Sequence, residues 1–341
     1  MMYNEIVLNR IIVGDYLKKF IKDNYKFIIL LIFIAIIFWL PLPYYIDAPG
    51  GLTKLNNKVT IKNKSIDGSY NMTYVSEYKA SIPLIVYSLF NKDYDVYKKE
   101  DILLNNETDS EYYKRDRLYL EESISNAVIS AYDLAHIKVK KSNNYLYVGY
   151  ILDDSNTNLK VGDNIVSIDG VKVNTKEEVN KLLSTRNIND KIKIEVNHGN
   201  KKYNRYAYLK EKNDKKIIGI IPIEVFDYET NPKVNIKADK NESGGSGGLM
   251  LSLTIYDLLS KDNISKNRVI AGTGTIDANG NVGEIGGVKY KIKGAVKNKA
   301  DIFLVPEDNY KEAKKIVDKN KYKIKLVKVA TLKAAVDYLK K

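Results

Sequence analysis

An α+β chain with a single membrane-spanning helix at its N-terminus is what this sequence of 341 residues predicts. Three observations carry that reading. Phe27–Leu40 is an unbroken apolar run, and no charged residue stands between Lys26 and Asp47. Residues 142–212 alternate strand patterns with Gly-Asp, Asp-Gly and His-Gly-Asn turns around one helix, a compact β-rich unit. Residues 213–341 hold an apolar helix, a small-residue strand and then further strand–helix alternation, the pattern of an α/β unit.

The span comes first in the chain. A helix needs about 20 residues to cross a hydrocarbon core of roughly 30 Å. Residues 26–46 supply that length and end in an aromatic belt of Trp39, Tyr44 and Tyr45. Arg10, Lys18, Lys19, Lys22 and Lys26 precede the span, whereas Lys54 and Lys58 follow it at a distance. The positive-inside rule places residues 1–25 in the cytoplasm and everything after Asp47 outside, as a single-pass signal anchor of the cell membrane. Ile6, Leu8, Ile11, Ile12, Leu17 and Phe20 form a loose apolar set for a short interfacial helix.

Residues 47–138 open on the linker-like Ala48-Pro49-Gly50-Gly51. Strand-like runs follow at Lys58–Ile61 and Tyr70–Ser76, then a polar, tyrosine-rich stretch. Leu118–Ala135 reads as a helix, its apolar positions three and four apart and its acidic first turn at Glu121-Glu122-Ser123.

Composition excludes much chemistry. The chain has no cysteine and two histidines, so disulfides, thiolate nucleophiles, thiolate zinc and iron–sulfur clusters are impossible, and no metal site is expected. His136 and His198 sit in no hydrolase motif. Net charge is +13, from 55 Lys and Arg against 42 Asp and Glu. The accompanying wealth of Lys, Asn, Ile and 27 Tyr reads as compositional bias on solvated faces, not as a nucleic-acid site.

In the β-rich unit, the helix Thr175–Thr185 starts with a Thr175/Glu178 capping box. The phrase Leu159–Val173, LKVGDNIVSIDGVKV, resembles the core of PDZ domains. That resemblance implies an extended peptide added to a sheet edge beside a helix. It would place a groove between Tyr145, Leu146, Tyr147 and Val148 on one side and Val179, Leu182 and Leu183 on the other. The Gly-rich carboxylate-binding loop does not stand out, so free C-termini and internal segments are both open as ligands.

The site-bearing segment is Ser243-Gly-Gly-Ser246-Gly-Gly248, followed by the apolar helix LMLSLTIYDLL. A flexible linker would have this glycine content, but a buried helix follows directly. A glycine-flanked serine there allows close approach of a substrate and borrows the helix's unpaired N–H groups for a developing oxyanion.

Together with Gly272-Thr273-Gly274-Thr275-Ile276 and Ile285-Gly286-Gly287-Val288-Lys289-Tyr290-Lys291, this segment resembles the proteolytic domain of Lon proteases, peptidase family S16. The chain as a whole, with Tyr44-Tyr45-x-x-x-Pro49-Gly50 after the span, is similar to membrane-anchored PDZ–Lon-like serine proteases of the SepM/YlbL type. The resemblance implies that the PDZ-like unit is inserted into a Lon-type α/β fold whose first part is residues 47–138. It also implies Ser246 as nucleophile and Lys291 as general base, with Gly245 and Gly247 in the oxyanion loop. Thr273 and Thr275 become candidates for orienting Lys291. The family's usual Pro and Ala beside the nucleophile are here Gly245 and Gly247, and Ser243 replaces an acid. The extra glycine predicts a loosely held loop.

A Ser-Lys pair needs no histidine. Lysine must be desolvated to act as a base at neutral pH. The expected activity is an ATP-independent serine endopeptidase acting on polypeptide substrates outside the cell, with the PDZ-like unit assisting capture. No cofactor, nucleic acid or ATP is expected, since no phosphate-loop motif occurs, and family habit implies a homo-oligomer. The alternative is a catalytically inert membrane scaffold that binds exported polypeptides.

Overall fold

The computed structural model describes residues 2–40, 42–104 and 107–341, without the side chains of residues 2–13 and 15. In chain order the elements begin with α1 (Met2–Trp39), β1 (Tyr44–Lys54), β2 (Val59–Ile61), β3 (Ser69–Lys79), α2 (Ile82–Phe90), β4 (Asp95–Lys98), α3 (Lys99–Ile102) and α4 (Asp109–Leu134). Next come β5 (Lys140–Ile151), β6 (Asn164–Ile168), β7 (Val171–Lys172), α5 (Lys176–Ser184), β8 (Lys191–His198), β9 (Lys201–Tyr208), β10 (Lys210–Lys212), β11 (Lys215–Ile217) and β12 (Ile220–Glu229). The remainder is β13 (Val234–Ile236), α6 (Gly248–Leu259), β14 (Val269–Gly272), β15 (Thr275–Ile276), β16 (Val282–Gly283), α7 (Val288–Lys297), β17 (Ile302–Pro306), α8 (Tyr310–Asn320), β18 (Lys325–Val329) and α9 (Leu332–Lys340). The chain divides into two units, Met1–Ala48 with Glu77–Ile102, and Pro49–Ser76 with Leu103–Lys341.

In the first unit α1 carries the apolar run to Trp39 and stops ahead of Pro41 and Pro43; a residue before proline is disfavoured in a helix. The expected span 26–46 is therefore not one helix. Tyr44, Tyr45 and Ile46 belong to β1, where Tyr45 and Ile46 are buried. Among the described residues no helix is long and apolar enough to cross a membrane. The charge-free stretch Phe27–Trp39 nevertheless exposes most of its large side chains, Trp39 to 87%. Of the interfacial positions, Leu17 and Phe20 are exposed; the side chains at 6, 8, 11 and 12 lie outside those described. The first part of β1 pairs antiparallel with β4, setting Asp47 opposite Asp95.

The second unit is built on the strand order β18-β17-β14-β3-β1. β14 runs parallel to both β3 and β17, and β17 parallel to β18. Side chains alternate between two cores, as a sheet covered on both faces requires. Ile270, Ile302, Leu304, Val327 and Val329 point into a core with α4, α6 and α9, among them Ala127, Ala131, Leu249, Leu253 and Leu339. Ala271, Phe303 and Val305 point the other way, onto Val288, Ile292 and Ala295 of α7 and Ala313 and Val317 of α8.

Between α4 and β13 the chain makes a second sheet, β12-β5-β6-β8-β9, with β7 paired to β6. It has its own core of Leu146, Val148, Ile165, Ile168, Val179, Leu183, Ile192, Ile194 and Val196. This inserted β-domain runs to Glu229 and not to residue 212, because β12 pairs along β5 from Ile220↔Ile151 to Glu229↔Lys140. Helix α4 starts at Asp109, ahead of the expected Leu118. Thr108 and Glu111 form its capping box: the Glu111 N–H donates to the Thr108 hydroxyl, and the Glu111 carboxylate accepts the Thr108 N–H.

Candidate active site

The nucleophile candidate stands at the start of α6, whose apolar side chains are buried on nearly every face. The polar side chains within α6 are satisfied locally. Ser252 donates to the Gly248 carbonyl at 2.9 Å and Thr254 to the Met250 carbonyl at 2.7 Å. Asp257 accepts from the Tyr70 hydroxyl at 3.0 Å and the Ile264 N–H at 3.2 Å. The helix is thus a fixed pedestal, and Ser246 stands in the loop just ahead of its N-cap, Gly247.

The glycine-rich loop is not loose. The Ser246 carbonyl accepts the Gly274 N–H at 2.8 Å and the Thr273 hydroxyl at 3.1 Å. The Gly245 carbonyl accepts the Ser123 hydroxyl at 2.9 Å, and the Gly244 N–H donates to the Asp116 carbonyl at 2.8 Å. Arg117 donates to the carbonyls of Asp239 and Glu242 at 3.1 and 3.3 Å, while Lys58 bridges both of those carboxylates. Helix α4 and the segment after β14 therefore clamp the loop from two sides. What the glycines supply is close approach. A Cβ on Gly248 would stand 2.6 Å from Ile276 Cγ2 and 2.7 Å from Ser123 Oγ. Among the described residues the N–H groups of Ser246 and Gly247 have no hydrogen-bond acceptor. The Gly247 N–H is the N-cap donor of α6 and the Ser246 N–H immediately precedes it; both are available to an oxyanion.

Lys291 is on α7, which packs on the opposite face of the sheet. Gly287 caps the helix with φ of 71°, a left-handed conformation suited to glycine. Within α7, Val288, Tyr290, Ile292 and Ala295 are buried, and Lys291 is only 4% exposed. Its ammonium has no hydrogen-bond or ion-pair partner among the described residues. Burial lowers its pKa from the ordinary lysine value to about 8, since the low-dielectric surroundings disfavour the charged form.

Both residues reach one cavity of about 660 Å³, beyond the carboxyl end of β14. Its walls include Tyr119, Glu122 and Ser123 of α4, Thr275, Asp277 and Glu284. Ser246 also borders a second cavity of about 490 Å³, which holds Met72, Tyr74, Val75 and Leu120. Crevices outside the carboxyl ends of parallel strands are where α/β sheets bind ligands. A serine that shares a cavity with a desolvated, partnerless amine and has free N–H donors next to it is equipped for acyl transfer.

The sequence-derived positions divide. Ser246, Lys291, Gly245 and Thr275 come together around the larger cavity. Gly247 lines the second. Thr273 is buried and its hydroxyl is committed to the Ser246 carbonyl, so it positions the nucleophile and not Lys291.

The expected peptide groove is corrected. Tyr145, Leu146, Tyr147 and Val148 lie in β5, an interior strand flanked by β12 and β6, so no peptide can add along it. Val179 and Leu183 are core residues and Leu182 packs against them. The outer strand on that side is β12, against which the N-terminus of α5 is held by the Lys176 N–H to Glu224 carboxylate bond.

Sequence reasoning missed Ser123, Arg117, Lys58 and Glu242, whose partners lie far off along the chain; no local motif marks them. His198 bonds the buried Asp163 at 2.7 Å, which also accepts from Arg205, a structural tie within the β-domain. Among the described residues no group of three or more His, Asp or Glu could hold a metal ion.

Residues 156–340 match the family described as the Lon protease (S16) C-terminal proteolytic domain. The Lon protease of Rickettsia felis is 35% identical over 91 residues, which are 27% of this chain and 11% of that protein. The Lon protease of Mesomycoplasma hyopneumoniae is 34% identical over 117 residues, 33% of this chain and 13% of that protein. The chain thus matches only a small part of the length of these relatives. Among solved structures, the PDZ domain of an SdrC-like protein from Listeria monocytogenes has 27% identity and a TM-score of 0.22, covering 24% of this chain and 92% of that one. The second domain of another Listeria protein has 26% identity and a TM-score of 0.21, covering 24% and 86%.

Proposed function

Because the chain belongs to the family of Lon protease (S16) C-terminal proteolytic domains, we propose that it is a serine endopeptidase with Ser246 as nucleophile and Lys291 as general base. The observation that carries this is the shared cavity: a serine at the N-terminus of a buried helix and a buried, partnerless lysine line the same walls. The neutral Lys291 amine takes the Ser246 proton as Oγ attacks the peptide carbonyl. The oxyanion is received by the N–H groups of Ser246 and Gly247. The Lys291 ammonium then gives its proton to the leaving amine, and water, activated by the same amine, releases the acyl group. No nucleotide enters this chemistry.

The proposal extends to the type of protein, a membrane-anchored PDZ–Lon-like protease of the SepM/YlbL type. The exposed apolar stretch of α1, preceded by Lys18, Lys19, Lys22 and Lys26, supports an anchor with its N-terminus in the cytoplasm and the peptidase outside. The inserted β-domain, with β12 as the outer strand of its sheet and Ile221 exposed, supports a role in capturing extended polypeptide. Self-association is proposed on the family likeness alone.

The test uses the full chain in detergent with unfolded polypeptides and no nucleotide. Cleavage that falls at least about a hundredfold in both Ser246→Ala and Lys291→Ala is the expected result. Undiminished cleavage in either variant, or none by the wild type, overturns the proposal.

A further inference from the structure

The larger cavity is acidic in a basic protein. Its walls carry Glu122, Asp277 and Glu284 against a single cation, Lys291, although the chain as a whole has a net charge of +13. A catalytic base has to be neutral at the moment it acts, so Lys291 does not offset these carboxylates. Two of the three are already engaged. Glu122 faces Lys176 of α5 at 3.3 Å. Asp277 accepts the N–H groups of Asn279 and Asn281 and the Asn281 side-chain amide. Glu284 is exposed and has no partner among the described residues.

Glu284 is also held in place. The next residue, Ile285, exchanges two hydrogen bonds with the buried Asn309 side chain, at 2.9 and 3.0 Å. Two residues earlier, the Val282 N–H donates to the Ala330 carbonyl at 2.9 Å. A carboxylate on a fixed backbone, unpaired and facing a cavity, is arranged to meet a charge brought in from outside.

The position of Lys291 orients the substrate. The base must return its proton to the leaving amine, so the chain following the scissile bond passes through the cavity that contains Lys291. The other cavity at Ser246, with Met72, Tyr74, Val75 and Leu120, is left for the acyl side.

Resting on the peptidase reading above, we propose that Glu284 selects a basic side chain, lysine or arginine, in the first residues after the scissile bond.

The test begins by mapping cleavage sites in an unfolded protein by mass spectrometry. Quenched-fluorescence peptides are then made around one site, with the position after the scissile bond set to lysine, norleucine or glutamate. The wild type is expected to favour lysine over norleucine in kcat/KM by about threefold to tenfold, the range of a partly exposed ion pair. The ratio should shrink toward one in Glu284→Gln, and Glu284→Lys should turn the preference toward glutamate. On the wild type alone, about 0.5 M salt should compress the ratio, because the pair is open to screening. A wild-type ratio near one overturns the inference, as does a basic preference lying only before the bond, or a ratio unmoved in both variants. Loss of all Ser246-dependent cleavage is a different result: it fails the peptidase reading itself, and the Ser246→Ala control reports it.

Discussion

The Thr273 hydroxyl donates a hydrogen bond of 3.1 Å to the carbonyl of Ser246. The two residues come from opposite sides of the site, one from the strand end and one from the head of α6, and the bond fixes the peptide that carries the nucleophile. Thr273→Val keeps the shape and removes the donor. Because the Gly274 N–H still serves the same oxygen, stability should fall by only about 1 kcal/mol. The expected kinetic result is a drop of about tenfold in kcat with KM little changed, restored by Thr273→Ser. Steady-state kinetics of the three proteins check this; a change confined to KM would contradict it.

Lys291 supplies a pH signature. With its pKa lowered to about 8 by burial, the neutral amine grows as pH rises through that value. The kcat/KM of the free enzyme should climb between about pH 7 and 9 and then level. Lys291→Arg, charged throughout, should be inactive at every pH. The same burial penalises the charged form in the fold. Stability from this group is therefore lowest at acid pH and is gained as pH rises from about 8 toward the unfolded lysine value.

Two glycines of the nucleophile loop should respond in opposite ways. A Cβ on Gly245 meets nothing nearer than the Tyr119 carbonyl at 3.5 Å, and its φ lies outside the left-handed region. Gly245→Ala should raise stability by about 0.4–1 kcal/mol through the unfolded chain. Gly248→Ala forces contacts of 2.6 and 2.7 Å onto Ile276 and Ser123. It should cost about 1–3 kcal/mol and disturb the clamp on Gly245. Denaturant melts of both variants give the comparison.

In the other unit, Asp47 faces Asp95 across the β1–β4 pair. Burial first, and then the neighbouring carboxylate, raise the Asp47 pKa to about 6. The folded chain holds this proton where the unfolded chain has lost it, so stability falls as pH rises from about 4 to 6. The full shift is worth ~3 kcal/mol, which solvent screening reduces to about 2 kcal/mol. Asp47→Asn should flatten that part of the stability–pH curve and stabilise the protein at pH 7, measured by melts across the range.

What was legible in the sequence was what local pattern determines. The apolar helix after Ser246 and the buried strand Ile302–Pro306 are continuous hydrophobic runs. The Lys291 segment carries its own glycine cap. Helix α4 was shortened because its first turns are polar and tyrosine-rich, although Thr108 and Glu111 spell its cap. The outer strand of the β-domain was misplaced because strand adjacency is a long-range property: β12 lies beyond the point where the motif ends. The loop's stiffness was illegible for a similar reason. Its glycines are local, whereas Ser123 is 122 residues from the Gly245 carbonyl it binds. Thr273 stands between two glycines, Gly272 and Gly274, and the partner of its hydroxyl depends on how the chain crosses.

The paired ends of the inserted β-domain bear on how the chain folds. Ser130 and Ser252, hydrogen-bonded between α4 and α6, are 122 residues apart. Lys140 and Glu229, 89 residues apart, meet at the base of the β5–β12 pair. Once the insert has folded, those 89 residues no longer count toward the loop that α4 and α6 must close. Loop-closure entropy values that shortening at about 1 kcal/mol. The insert then serves as an internal splint, and weakening it should slow assembly of the peptidase core even where the finished fold is unchanged.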